Sequence, residues 1–80
     1  IKIPDFNIVS VRVLADSGKI VGKTILEADL RNKFGISVLA ILRNSEMINT
    51  IKPEEKILRN DMVYISGDLE HIEQFYNAVI

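Results

Sequence analysis

Residues 20–48 read IVGKTILEADLRNKFGISVLAILRNSEMI. Thr24 stands where a helix N-cap belongs. Glu27 follows three residues later, completing a capping box in which each side chain bonds the other residue's backbone N–H. Leu26, Leu30 and Phe34 recur at i, i+4 and i+8, one apolar stripe. Glu27 and Asp29 sit near the start and Arg31 and Lys33 near the end, as a helix dipole favours. Gly35 supplies the left-handed stop. The pattern predicts one helix over Thr24–Phe34. Beyond it, residues 36–43 are apolar on both faces, which predicts a central strand covered on both sides.

Working outward from this stretch, Val9, Val11 and Val13 alternate with Ser10 and Arg12, a half-buried strand. Residues 1–7 carry Pro4 and Asp5 and read as a linker remnant, so that residues 8–80 form the folded domain. Asp16-Ser17-Gly18 is a turn before the helix, and Asn44-Ser45 a turn after the strand. Glu46 opens a short strand reaching Ile51. Pro53 lacks the N–H that a further ladder bond needs. Asn60-Asp61 turns the chain into a strand over 62–66, and Gly67 ends it. Asp68 caps a last helix with Leu69, Ile72, Phe75, Tyr76 and Val79 on one face.

The order is β-α-β-β-β-α. We expect an α+β fold, a small mixed sheet with two helices. The first helix should act as a right-handed crossover between parallel strands. The later strands, joined by short turns, should pair antiparallel.

The composition excludes several classes. Eighty residues at 48% hydrophobic make one domain with a packed core. A chain this short buries only about 60% of its unfolded surface, which favours pairing with a second copy. Its net charge of −1, with acids and bases interspersed, lacks the basic stripe that a nucleic-acid polymer demands. No apolar run approaches the roughly 20 residues of a membrane span. There is no cysteine, hence no disulfide frame and no thiolate site. The chain begins at Ile1 rather than Met, and we expect it to be a piece of a longer protein.

Candidates for chemistry are few. His71 is the sole histidine and lies off the apolar stripe. With no second His or Cys to share a metal it reads as a surface residue, and no transition metal is expected. Asp16, Glu27, Asp29, Asp61 and Asp68 lack the alternating spacing of a calcium loop, and each is explained as a cap or turn. Ser66-Gly67-Asp68 precedes a helix, where phosphates bind, but Asp68 would repel an anion. Arg31 and Arg43 close the helix and the central strand. Each is either a grip for an anionic ligand or a surface charge.

With these residues in view, the chain resembles the C-terminal domain of regulators of potassium conductance (RCK_C), also called the TrkA C-terminal domain. The likeness spans nearly the whole chain. It rests on residues 20–48, on Pro53, and on ILRNDMVYISGDLEHIEQF at residues 57–75. The elements are a Gly-Lys-Thr opening a helix, a Phe-Gly pair ending it, an apolar strand finishing in Arg, and an Asn-Asp turn before the last strand.

The resemblance implies a regulatory domain on the cytosolic face of a potassium channel, transporter or cation antiporter. It implies a homodimer, partnered with the membrane-embedded portion of the parent protein and free of catalysis. Some relatives take cyclic di-AMP, a small anionic ligand, at the dimer interface. Carried over, their ligand positions fall on Ile25, Arg31, Ser37, Val38, Glu46 and Pro53. Two positions depart from the family pattern. Ser37 replaces a longer Asn, and Glu46 puts a negative charge where a His would help. The Gly-rich nucleotide-binding half of such regulators is not in this sequence. The alternatives are a purely structural assembly domain without ligand and a small enzyme.

Overall fold

The computed structural model describes residues 7–16 and 18–80. The linker expected at residues 1–7 lies outside these, except Asn7, which opens the first strand.

The elements in chain order are β1 (Asn7–Arg12), α1 (Ile25–Ala28), α2 (Leu30–Phe34), β2 (Ser37–Arg43), β3 (Glu46–Ile48), β4 (Met62–Gly67) and α3 (Leu69–Val79). The four strands form one sheet in the order β1-β4-β2-β3. All its pairs are antiparallel. This corrects the expected mixed sheet. β1 and β2 do run the same way, since both oppose β4. The last strand inserts between them, so the parallel neighbours required by a mixed sheet never meet.

The first helix also departs from expectation. The capping box forms, with Thr24 N–H donating to Glu27 Oε1 at 3.0 Å and Glu27 N–H to Thr24 Oγ1 at 3.1 Å. The helix then breaks at Asp29, which adopts φ 47°, ψ 51°. α2 restarts there and ends at Gly35, φ 68°, whose N–H donates to the Arg31 and Leu30 carbonyls. The break rotates the stripe: Leu30 is buried, whereas Leu26 is 73% exposed.

The other elements fall closer to expectation. Asn44 and Ser45 both have positive φ, as a two-residue hairpin turn requires, and they set Arg43 opposite Glu46. The third strand stops at Ile48 rather than Ile51. α3 starts at Asp68, whose carboxylate accepts from the His71 N–H at 3.0 Å. It buries Ile72, Phe75 and Val79 and leaves Leu69 and Tyr76 exposed. Its final carbonyl, of Val79, accepts from Leu14 and Ala15 N–H.

The core lies between one sheet face and the helices. Val11, Ile41, Val63 and Ile65 meet Ala28, Leu30, Ile72, Phe75 and Val79. Phe34 and Phe75 pack edge-to-face with ring centroids 6.4 Å apart, joining α2 to α3. β2 is not covered on both faces: Ile41 is fully buried, but Leu39 is 41% exposed. The pairing of β2 with β4 shifts register between Val38 and Ala40, making Leu39 a bulge residue. β3 covers β2 only over Ile41–Arg43.

Candidate functional site

The helix break and the uncovered start of β2 face one another across an open cavity of about 320 Å³. Ile25, Leu26, Asp29, Leu30 and Arg31 line it from the helical side. Ile36, Ser37 and Val38 form a second wall. The third comes from the β3–β4 connection through Ile51 and Pro53.

The local sequence dictates each wall. Thr24 and Glu27 fix the start of α1, and Asp29 then takes a left-handed conformation that Asp tolerates better than most residues. Its carboxylate does not cap α2 but accepts from Asn32 Nδ2 at 2.9 Å. Gly35 reverses the chain after one short helix and so sets β2 beside α2.

The connecting wall is fastened to α1 by backbone bonds. Ile25 N–H donates to the Glu55 carbonyl at 2.8 Å, and Leu26 N–H to the Pro53 carbonyl at 3.0 Å. The orphan donors of the helix start thus hold the lip of the cavity in place.

Arg31 is the cation of the site. It is exposed, and its Nη2 donates to Ser37 Oγ at 3.3 Å. Among the described residues no carboxylate lies within 4 Å of it. Its remaining donors meet no acceptor among the described residues. Seven of the ten lining side chains are apolar, an arrangement that suits a ligand with flat apolar faces and an anionic group.

Arg43 proves different. Its Nε and Nη2 donate to the two Asp61 oxygens at 2.9 and 2.8 Å. Nη1 donates to Glu55 Oε2 at 3.1 Å and Nη2 to the Lys56 carbonyl at 2.8 Å. Asp61 is only 1% exposed and also accepts from the Leu58 N–H. Its hydrogen bonds above all, and those of Glu55, hold the Arg43 pKa above the usual guanidinium range against the opposing effect of burial. Arg43 is a structural latch, which corrects its candidacy as an anion grip.

Of the six positions expected to touch a ligand, Ile25, Arg31, Ser37, Val38 and Pro53 come together in the cavity. Glu46 does not. Its register partner is Arg43, at the opposite end of β2 from Ser37. Sequence reasoning missed Leu26, Asp29, Leu30, Ile36 and Ile51. The signal for Ile51 was an apolar residue two positions before Pro53. For Asp29 there was none, because a helical pattern ran through it.

His71 lies on Gly35, where an added Cβ would stand 2.6 Å from its Nδ1. That nitrogen is also 3.2 Å from Asp68 Oδ2. Among the described residues no group of three His, Cys, Asp or Glu could hold a metal, and no helix is long and apolar enough to cross a membrane.

Residues 8–79 match the TrkA-C domain family. The Ktr system potassium uptake protein C of Bacillus subtilis (strain 168) is 33% identical over 70 residues, 88% of this chain but only 31% of that protein. Among solved structures, the RCK_C domain dimer of S. agalactiae BusR in complex with c-di-AMP superposes with a TM-score of 0.83 at 21% identity, over 94% of this chain and 91% of that one. The RCK C domain of the potassium transport protein KtrA, also in complex with c-di-AMP, gives 0.78 at 25% identity, over 91% and 82%.

Proposed function

Because the chain belongs to the TrkA-C domain family, we propose that it is a non-catalytic regulatory domain of a potassium or other cation transport protein. Two copies pair, and a small anionic ligand, cyclic di-AMP first among candidates, occupies the cavity between α1, α2 and β2. The domain works at the cytosolic face of the membrane, with the membrane-embedded portion of its parent as partner.

The observation that carries this reading is the meeting of Ile25, Arg31, Ser37, Val38 and Pro53 around one open cavity. The apolar walls suit the faces of a base. Arg31 has free donors in the fork geometry that matches a phosphate. At about 320 Å³ the cavity of one copy is near the lower limit for ligand sites. That is room for one half of a symmetric dinucleotide, and a second copy across a two-fold axis would supply room for the other. The BusR and KtrA domains, which share this fold, are each in complex with that nucleotide, and the BusR domain is a dimer.

Calorimetry tests it. Cyclic di-AMP titrated into the wild type should saturate at one nucleotide per two chains. Arg31→Ala should bind about tenfold or more weakly, the loss of a charge-assisted hydrogen bond. No binding by the wild type, or binding unchanged by Arg31→Ala, rejects the assignment. Sedimentation showing only monomer at high micromolar concentration counts against the pairing.

A second reading is an assembly domain without ligand. Exposed Leu26 in the cavity wall and Leu39 at the β2 bulge favour it, since they would suit an apolar interface. Dimers that take up no nucleotide would select it.

A further inference from the structure

The latch at the far end of β2 reaches the cavity through Glu55 and Lys56. Glu55 accepts from Arg43 Nη1 with its side chain at 3.1 Å. With its backbone carbonyl it accepts from the Ile25 N–H at 2.8 Å. Arg43 Nη2 takes the next carbonyl, of Lys56. Two residues before Glu55 stands Pro53, whose carbonyl accepts from Leu26 and whose ring lines the cavity. Buried Asp61 fixes Arg43, Arg43 fixes residues 55 and 56, and those residues set how the Pro53 wall meets α1.

We propose that Arg43 and Glu55 are positioning residues for the ligand cavity: their ion pair holds the β3–β4 connection against the start of α1 and so sets the spacing between the Pro53 wall and Ile25. Neither side chain lines the cavity. Their effect on affinity is indirect, through a wall that backbone bonds to Gly22, Lys23, Ile25 and Leu26 also fasten. The inference rests on the proposed reading of the cavity as a nucleotide site.

The two members differ in what their loss exposes. Removing Arg43 strands the buried Asp61 carboxylate, and such a variant can fail to fold. Glu55 is 26% exposed in its side chain. Deleting its carboxylate leaves Arg43 bound to Asp61 and to the Lys56 carbonyl. Glu55→Ala is therefore the variant that probes position rather than folding, and Glu55→Gln restores a neutral acceptor of the same length.

The full chain would be titrated with cyclic di-AMP as wild type, Glu55→Ala and Glu55→Gln. Amide hydrogen exchange would be followed in the same proteins without ligand. We expect Glu55→Ala to bind about tenfold more weakly and Glu55→Gln to recover part of the loss. We also expect faster exchange at the Ile25 and Leu26 amides, with Val63 and Ile65 unchanged. A general loss of stability would instead move all four together. Affinity within about twofold of wild type in Glu55→Ala overturns the proposal, since that lies below the usual network coupling. So does unchanged exchange at Ile25 and Leu26, or equal acceleration at all four amides. If the wild type itself takes up no nucleotide, the functional reading fails separately. The exchange data then decide the clamp alone: selective loosening supports it, and any other pattern overturns it.

Discussion

At one end of β2 each of the three guanidinium nitrogens of Arg43 has a protein acceptor, and the carboxylate it grips is buried. At the other end Arg31 has, among the described residues, a single hydroxyl partner at 3.3 Å. The two side chains are chemically identical and flank the same strand. What separates them is the company the fold brings: Asp61 and Glu55 at one end, an apolar cavity at the other. A cation already satisfied by its own chain stabilises or positions. A cation left with free donors beside a cavity is available to a ligand.

The largest expected effect sets these ends directly against each other. Arg43→Ala leaves Asp61 buried with only the Leu58 N–H, and breaking a buried pair in this way costs about 3–5 kcal/mol. The 23% exposure of the Arg43 side chain favours the lower part of that range. Arg31→Ala removes an exposed side chain and should change stability by less than about 0.5 kcal/mol. Urea melts of the two variants measure the difference. Comparable losses would mean that Arg31 is structural too, and the contrast would collapse.

A smaller effect probes the hinge of the open end. Gly35 has φ 68°, and an added methyl would meet the His71 ring. Forcing an L side chain into the left-handed region costs about 1–2 kcal/mol, so Gly35→Ala should lose at least that much in a denaturant melt. His71→Ala alone should cost little, because the ring is partly exposed and, among the described residues, pairs only with Asp68. Combined with Gly35→Ala, it should relieve the clash but not the backbone strain. A double variant restored to wild-type stability would show that strain at Gly35 is not what fixes α2 against β2.

The same contrast explains what could be read in advance. Local signals were legible: Thr24 with Glu27, the stop at Gly35, the Asn44-Ser45 turn and the Asp68 cap all depend on neighbours in sequence. The insertion of β4 between β1 and β2 was not. It depends on pairings such as Val11 with Val63 and Ile41 with Val63, and no short-range rule chooses between strands that alternate equally well. The break at Asp29 was hidden because Asp fits a helix pattern as an early acidic residue, and tertiary packing overrides that preference. Five cavity positions were named from a family resemblance. Their meeting in space needed the break, the bulge at Leu39 and the Pro53 wall, none of which periodicity encodes. Glu46 was named from the same resemblance, and the hairpin sets it opposite Arg43 at the latch end.

The faintest expected signal lies in the capping box that begins the open end. The Thr24 N–H, and after it the Thr24 hydroxyl, hold the Glu27 carboxyl below its ordinary range, with Lys23 and Lys56 adding a little. The group is fully exposed, so solvent and salt weaken any effect on global stability. The sign follows from linkage. A carboxyl whose pKa is lower in the folded chain contributes stability above its unfolded pKa. That contribution is lost as pH falls through the folded value. Acid should thus loosen α1 before the latch-end core responds, with the Thr24 and Glu27 amides shifting together in an NMR titration. Thr24→Val removes the hydroxyl but keeps the N–H donor, so it should raise the Glu27 midpoint only part of the way. A Glu27 midpoint at or above that of a free glutamate in the wild type would break the box. The first turn of α1 would then be held by backbone bonds, those to the Glu55 and Pro53 carbonyls among them, and the open end would depend on the latch more heavily than the capping box implies.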